Sequence, residues 1–183
     1  MKITNFQTLQ CWDGVKNSLF LRIFTDEGII GTGEPYSIGP NKAVISFIES
    51  IQSWFIGQDP TRISWLLERT RNDIRWPIGA TGWAALSGID HALWDIAGKA
   101  RGVPTYMLLG GKFREKVRVY HGVDGQSIQE LKDEAHILTE QGYKAFKISF
   151  YNKDWREKPW NQVLREGVER IEALRAAVGL DAD

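Results

Sequence analysis

The rhythm of the chain changes at Gly110 and Gly111, and that change restricts what it can fold into. Before the glycines, strands come first and helices follow. After them, strand and helix alternate strictly. Alternating apolar side chains mark residues 2–10 and 18–25 as strands, the second through Leu19, Leu21 and Ile23 on one face. The turn Asp26-Glu27-Gly28 leads into a third strand over 29–34, which completes a meander. Helices are expected over 42–55 and from Pro60 to residue 72, with Asp59 as N-cap of the latter. The longest helix is expected over 81–100. Its Leu86, Ile89, Leu93 and Ile96 recur at steps of three and four, and Ala84, Ala85 and Ala92 form a second close-packing face, so little of it should meet water. Asp95 and Lys99 stand one turn apart and can pair, and Gly102 with Pro104 stops the helix. Strands followed by helices indicate an α+β domain.

Beyond Gly111, residues 117–123 read as a strand. Ser127 opens a helix through a capping box with Glu130, and the helix runs to about residue 141. A second strand is expected over 143–150, and a helix over 160–178 stopped by Gly179. This β-α-β-α order is that of a parallel sheet with right-handed crossovers. Two such units cannot close on themselves, since a complete eightfold barrel takes about 250 residues. The expected division is therefore a domain over 1–111 and the incomplete start of a second over 112–183.

Composition removes several functional classes. The 183 residues are 43% apolar and 25% charged, the balance of a soluble globular protein. Lys and Arg number 23, as do Asp and Glu, without long runs of either sign, so no nucleic-acid or membrane partner is expected. The single Cys11 cannot form an internal disulfide, and neither a signal peptide nor a membrane-spanning run is visible, so a cytoplasmic protein is expected. Most of the eight tryptophans are expected to fill cores or interfaces.

The stretch Ala85-Leu86-Ser87-Gly88-Ile89-Asp90-His91-Ala92-Leu93-Trp94-Asp95-Ile96-Ala97-Gly98-Lys99, with Pro104 and Leu108-Leu109-Gly110-Gly111, resembles the last capping-domain helix of mandelate-racemase-like enzymes of the enolase superfamily. Gly31-Thr32-Gly33-Glu34-Pro35 and Gly57-Gln58-Asp59-Pro60 resemble two further landmarks of the mandelate racemase/muconate lactonizing enzyme group, in the same order and spacing. The resemblance covers essentially the whole chain and is greatest to acid-sugar dehydratases. It implies an α+β capping domain, made of a three-stranded meander and a helical bundle, followed by the first β/α units of a TIM-type (β/α) barrel. It also implies a homo-oligomer acting on a small carboxylate or sugar acid. Such enzymes bind the carboxylate on Mg²⁺, remove the adjacent proton and pass through an enediolate, because a carbon acid this weak needs a cation and a placed base. Three carboxylates ending the third, fourth and fifth barrel strands hold the metal in the family, so no metal ligand is expected within the chain and the first would follow Asp183.

Lys147 is expected near the C-terminal end of the second barrel strand, where barrels build active sites, with Ser149 on the same face and Ala145 deeper. Pattern alone also allows a surface lysine. By resemblance, Lys147 takes the first place of the family's Lys-x-Lys motif, at the substrate carboxylate or the metal. Ser149 departs from that motif, and a serine cannot serve as the second proton-transfer lysine without an adjacent base. The departure favours dehydration over two-base racemisation. His121, after the first barrel strand, is a candidate for binding a substrate hydroxyl at the barrel mouth, for acting as an acid there, or for hydrogen-bonding the backbone, whereas His91, a candidate core or interface side chain, and His136 receive no role. Trp12 and Asp13 in loop 11–17, and Tyr36 in loop 36–40, are the pocket-lining candidates by analogy, against ordinary hairpin loops with a half-buried tryptophan. Arg75 and Trp76 could approach the substrate or lie in an exposed loop. The long loop 151–160 suits a polyhydroxylated acid or plain solvent equally.

The expected activity is that of a Mg²⁺-dependent acid-sugar dehydratase, a carbon–oxygen lyase whose principal base lies beyond residue 183, so that the chain by itself would be inactive. The alternatives are a racemase, epimerase or cycloisomerase of the same superfamily, and a non-catalytic binding or assembly module. The last would leave parallel strand edges and barrel-facing apolar surface exposed.

Overall fold

A computed structural model of the chain describes residues 1–36, 39–75 and 77–183, and divides it into two units, Met1–Phe113 and Arg114–Asp183. In the first unit, Leu19, Leu21 and Ile23 are fully enclosed and place β2 (Asn17–Thr25) at the centre of an antiparallel sheet. Its neighbours are β1 (Ile3–Trp12) and β3 (Ile30–Gly33). The β1–β2 register runs from Ile3 opposite Thr25 to Trp12 opposite Asn17, with one irregularity between Ile3 and Asn5. Three helices follow: α1 (Asn41–Ile51), α2 (Ile63–Asp73) and α3 (Gly79–Arg101), then a single turn, α4 (Thr105–Leu108). The stripe Leu86, Ile89, Leu93 and Ile96 of α3 is buried in one core with the sheet, Ile48 and Leu66.

The edge strand β3 meets α3 backbone to backbone. A methyl group on Gly31 would collide with the Ala92 carbonyl, one on Gly33 with the Gly88 carbonyl, and one on Gly88 with the Pro35 ring. The Gly31–Pro35 segment and the helix around Gly88 are thus two halves of one close contact, which explains why small residues recur in both. Polar groups finish the seam. Asp95 accepts from the Thr32 amide at 2.8 Å, while Lys99 donates to the Ile30 carbonyl and to Asp95, each at 2.7 Å. Helix α3 then ends on left-handed Gly102, with Val103 N–H bonded to the Gly98 carbonyl.

Three expectations for this unit change. Helix α2 begins at Ile63 rather than Pro60, because Asp59 Oδ1 accepts from both the backbone and the hydroxyl of Thr61 and closes a turn before the helix. Among the seven described tryptophans of the chain none is fully buried, and Trp12, Trp65, Trp83 and Trp160 are exposed. The core is built from aliphatic side chains with Phe6 and Phe55, and of these tryptophans only Trp54 and Trp94 pack against it, whereas Trp65 and Trp83 lie under the guanidinium groups of Arg62 and Arg71. His91 is exposed on α3, so it is no core histidine.

The second unit contains β4 (His121–Val123), α5 (Ile128–Glu140), β5 (Phe146–Ile148) and α6 (Trp160–Val178). The strands pair in parallel, His121 with Phe146, Gly122 with Lys147 and Val123 with Ile148. Val123 is enclosed with Leu131, Ala135, Leu138 and Leu174, so α5 and α6 cover one face of the pair. The capping box forms as expected: Ser127 Oγ accepts from Glu130 N, and Glu130 accepts from the Ser127 amide. The ladder is shorter than the expected strands, since Val117, Val119 and Tyr120 are exposed and only three residues of each strand pair. Across β5, Asp183 N–H bonds the Lys144 carbonyl and Phe146 N–H bonds that of Asp183, so a third strand position is already taken up. Among the described residues, no helix is long and apolar enough to cross a membrane.

Candidate active site

The C-terminal ends of β4 and β5 carry two loops with different supports. The loop after β4 is clamped from both sides. Glu134 accepts from the amides of Asp124 and Gly125 at 2.9 and 3.0 Å, and Arg170 of α6 donates to the carbonyls of Gly125 and Gln126 at 2.9 and 3.1 Å. A side chain at Gly125 would strike the first turn of α5. The loop after β5 is held by aromatic contacts. Phe150 meets Tyr151 and Trp160 edge-on, and Trp155 meets Tyr151 at 5.1 Å between ring centroids. Lys158 bridges Asp154 and Glu166 at 3.0 and 2.7 Å; hydrogen bonds with Glu166 and Asp154 raise the Lys158 pKa, and that from Lys158 lowers Glu166.

Between these loops lies a cavity of about 500 Å³ lined by Ser149, Asn152, Arg170 and Val123 among others. Ser149, itself exposed, therefore borders an open, largely polar hollow. Lys147 is exposed and outside that lining, with its ammonium 6.0 Å from the centre of the Tyr120 ring. Because Lys147 pairs with Gly122 while His121 pairs with Phe146, strand alternation puts His121 on the helix-covered face, away from Lys147. There its Nδ1 lies 2.6 Å from the Gly122 carbonyl and its ring meets Tyr143 edge-on. The backbone-bonded alternative is the one the geometry supports.

In the first unit, Asp13 is committed to its own hairpin. Its carboxylate accepts from the amides of Val15 and Lys16 and from Ser18 Oγ, and the two amides hold its pKa below the ordinary carboxylate value. Trp12 is exposed at the end of β1. Tyr36 lines a small hollow of about 100 Å³ with Pro40, Asn41, Thr81 and Ala84. Asn41 ties the two loops together by donating to the Asn17 carbonyl at 2.7 Å. Residues 37 and 38 of loop 36–40, and the candidate Trp76, lie outside the described residues, and Arg75 is exposed.

Sequence reasoning missed Arg170 and Asn152. Arg170 had a signal: it continues the buried stripe Val163, Gly167, Leu174 at helical spacing, where a charge is out of place. Asn152 sits in an irregular loop with no periodicity to expose it.

Residues 12–110 match the model of the mandelate racemase/muconate lactonizing enzyme N-terminal domain. The chain belongs to the mandelate racemase/muconate lactonizing enzyme family. Within it, the chain is 36% identical over 182 residues to a D-galactonate dehydratase of Verminephrobacter eiseniae, covering 98% of this chain and 46% of that protein. It is similar in structure to an enolase from Agrobacterium radiobacter with bound Na and L-malate, at TM-score 0.88 and 35% identity, over 100% of this chain and 47% of that one. An enolase from Pantoea ananatis with bound D-gluconate and Mg is similar at TM-score 0.85 and 28% identity, over 100% and 52%. The chain spans about half the length of these members of the family.

Among the described residues, no group of three or more His, Cys, Asp or Glu side chains is placed to hold a metal ion. The residues present thus do not fit a complete Mg²⁺ site, which takes oxygen ligands in near-octahedral array.

Proposed function

We propose that the protein is an acid-sugar dehydratase, a carbon–oxygen lyase in which residues 1–111 cap the substrate and residues 112–183 open the catalytic barrel. The observation that carries this reading is the 36% identity to a D-galactonate dehydratase across nearly the whole chain. The bound D-gluconate and L-malate of the two similar enolases support a hydroxylated carboxylate as substrate, and the bound Mg of one supports a divalent cation.

Lys147 is assigned to the substrate carboxylate, as an exposed ammonium on the face of β5 opposite its helices. Ser149, two residues on, is assigned to a hydrogen bond rather than to proton abstraction, which leaves the principal base to another residue. Trp12 and Tyr36 are assigned to covering the substrate, with Asp13 shaping the hairpin that presents Trp12. The reaction removes the proton next to the carboxylate and the hydroxyl one carbon further on, releasing water and leaving a 2-keto-3-deoxy acid. A homo-oligomer is proposed as well, and light scattering on the purified protein would report it.

Incubating the product of the complete reading frame with D-galactonate and D-gluconate tests the reading. Formation of a 2-keto acid, followed as its semicarbazone absorbance, is expected for at least one of them. No keto acid from any acid sugar would remove the proposal.

A further inference from the structure

The hairpin that joins β1 to β2 closes on itself. Asp13 accepts from the amides of Val15 and Lys16 and from Ser18 Oγ, and its own N–H bonds the Lys16 carbonyl at 3.1 Å. Trp12 stands opposite Asn17 in the ladder, so a group that holds Asn17 also holds the strand end that presents Trp12. Asn41 is that group. Its Nδ2 donates to the Asn17 carbonyl at 2.7 Å, across 24 residues of sequence.

Asn41 itself is firmly placed. It opens α1, whose Val44, Ile48 and Ile51 are buried in the core of the first unit. It also borders the small hollow that Tyr36 lines with Pro40 and Thr81. On its other side, an open hollow of about 540 Å³ is bordered by Gln10, Lys16 and Asn17 of the strands and by Pro40, Asn41 and Lys42. Open space rather than packed apolar surface thus lies beside the bond.

Helix energetics do not account for asparagine at this place. No side chain caps α1 at Pro40, and its first turn holds no acid, although the helix dipole would favour a carboxylate there. A carboxylate at position 41 would face the Asn17 carbonyl with no proton to give it. The amide forgoes the dipole gain and keeps the tie.

We propose that Asn41 is a positioning residue that joins the hairpin carrying Trp12 and the segment carrying Tyr36 into one lid over the substrate. The inference rests on the assignment of Trp12 and Tyr36 to covering an acid sugar, and adds the residue that couples them. Asn41 meets no reacting atom in this scheme; it acts through Trp12.

The test uses the product of the complete reading frame with Asn41→Asp, Asn41→Gln and Asn41→Ala, and with Trp12→Ala alone and combined with N41A. N41D keeps the shape, loses the donor and gains from the helix dipole, so its melting temperature is expected to equal or exceed that of the parent. Its KM for D-galactonate or D-gluconate is expected to rise about tenfold with kcat little changed. N41Q keeps an amide donor and should recover most of that loss. In the Trp12→Ala background, N41A should raise KM no further. Unchanged KM in N41D and N41A, or losses that add in the double variant, overturn the proposal and leave the dehydratase reading standing. If the parent turns over no acid sugar, hydrogen exchange decides. Slowed exchange over residues 11–18 and 39–44 together on adding D-gluconate, lost in N41D, upholds the coupled lid without the dehydratase. Exchange that D-gluconate leaves unchanged in the parent, or slows equally in N41D, overturns it.

Discussion

The carboxylate of Asp95 on α3 holds the backbone amide of Thr32 on the edge strand β3 at 2.8 Å, and the same carboxylate is gripped by Lys99 at 2.7 Å. One side chain thus blunts a sheet edge and anchors it to the helix that organises the first unit. Asp95→Ala removes both bonds. It is expected to cost about 1–2 kcal/mol in denaturant unfolding and to speed hydrogen exchange at Thr32. Asp95→Asn keeps an acceptor and should cost less.

Gly33 and Gly88 make the tightest part of the same seam. Gly33→Ala puts a methyl group onto the Gly88 carbonyl, where backbone would have to move. The expected loss is about 1–3 kcal/mol, read as a lowered melting temperature. Exposed Gly14, whose added methyl meets nothing, is the control site, although its φ of 98° still disfavours a side chain.

How much of this was legible depends on the kind of interaction. The aliphatic stripes of β2 and α3, the Asp95–Lys99 pair and the Ser127–Glu130 box follow from local spacing, and all stand in the structure. The start of α2 was misplaced because Asp59 satisfies itself on Thr61, a competition between turn and helix that spacing does not settle. The candidate site was half legible. Alternation alone places Lys147 and Ser149 on one face, but β5 ends at Ile148 and of the two only Ser149 borders the cavity. The loop of that cavity depends on Arg170 reaching back over 45 residues to Gly125, and no short-range pattern encodes that.

The helix cap of α5 makes a pH prediction. Amides of Ser127 and Gln126 donate to Glu130 and hold its folded pKa below its ordinary value of 4.5. A depressed carboxylate stabilises the fold above its unfolded pKa, and that contribution fades as pH falls through 4.5 towards the folded value. Unfolding measured between neutral and acid pH should show this loss in the parent and a flatter profile in Glu130→Gln. Ser127→Ala should cost about 1 kcal/mol at neutral pH.

Lys147→Met is expected to lower kcat/KM for an acid sugar about 10- to 100-fold while leaving the melting curve near that of the parent, since the ammonium is exposed and outside the hydrophobic core. Steady-state kinetics and calorimetry on the same preparation check both halves. A lysine that only decorates the surface would leave kcat/KM untouched.

Dehydration without racemisation is the proposed activity, carried by the 36% identity to a D-galactonate dehydratase and favoured by serine rather than lysine at position 149. Proton NMR of the complete protein acting on D-gluconate and D-galactonate in D₂O tests it most directly. The account predicts that a 2-keto-3-deoxy acid accumulates while the remaining acid sugar keeps its configuration at C2. Accumulation of the C2 epimer carrying deuterium, with no keto acid, would contradict it.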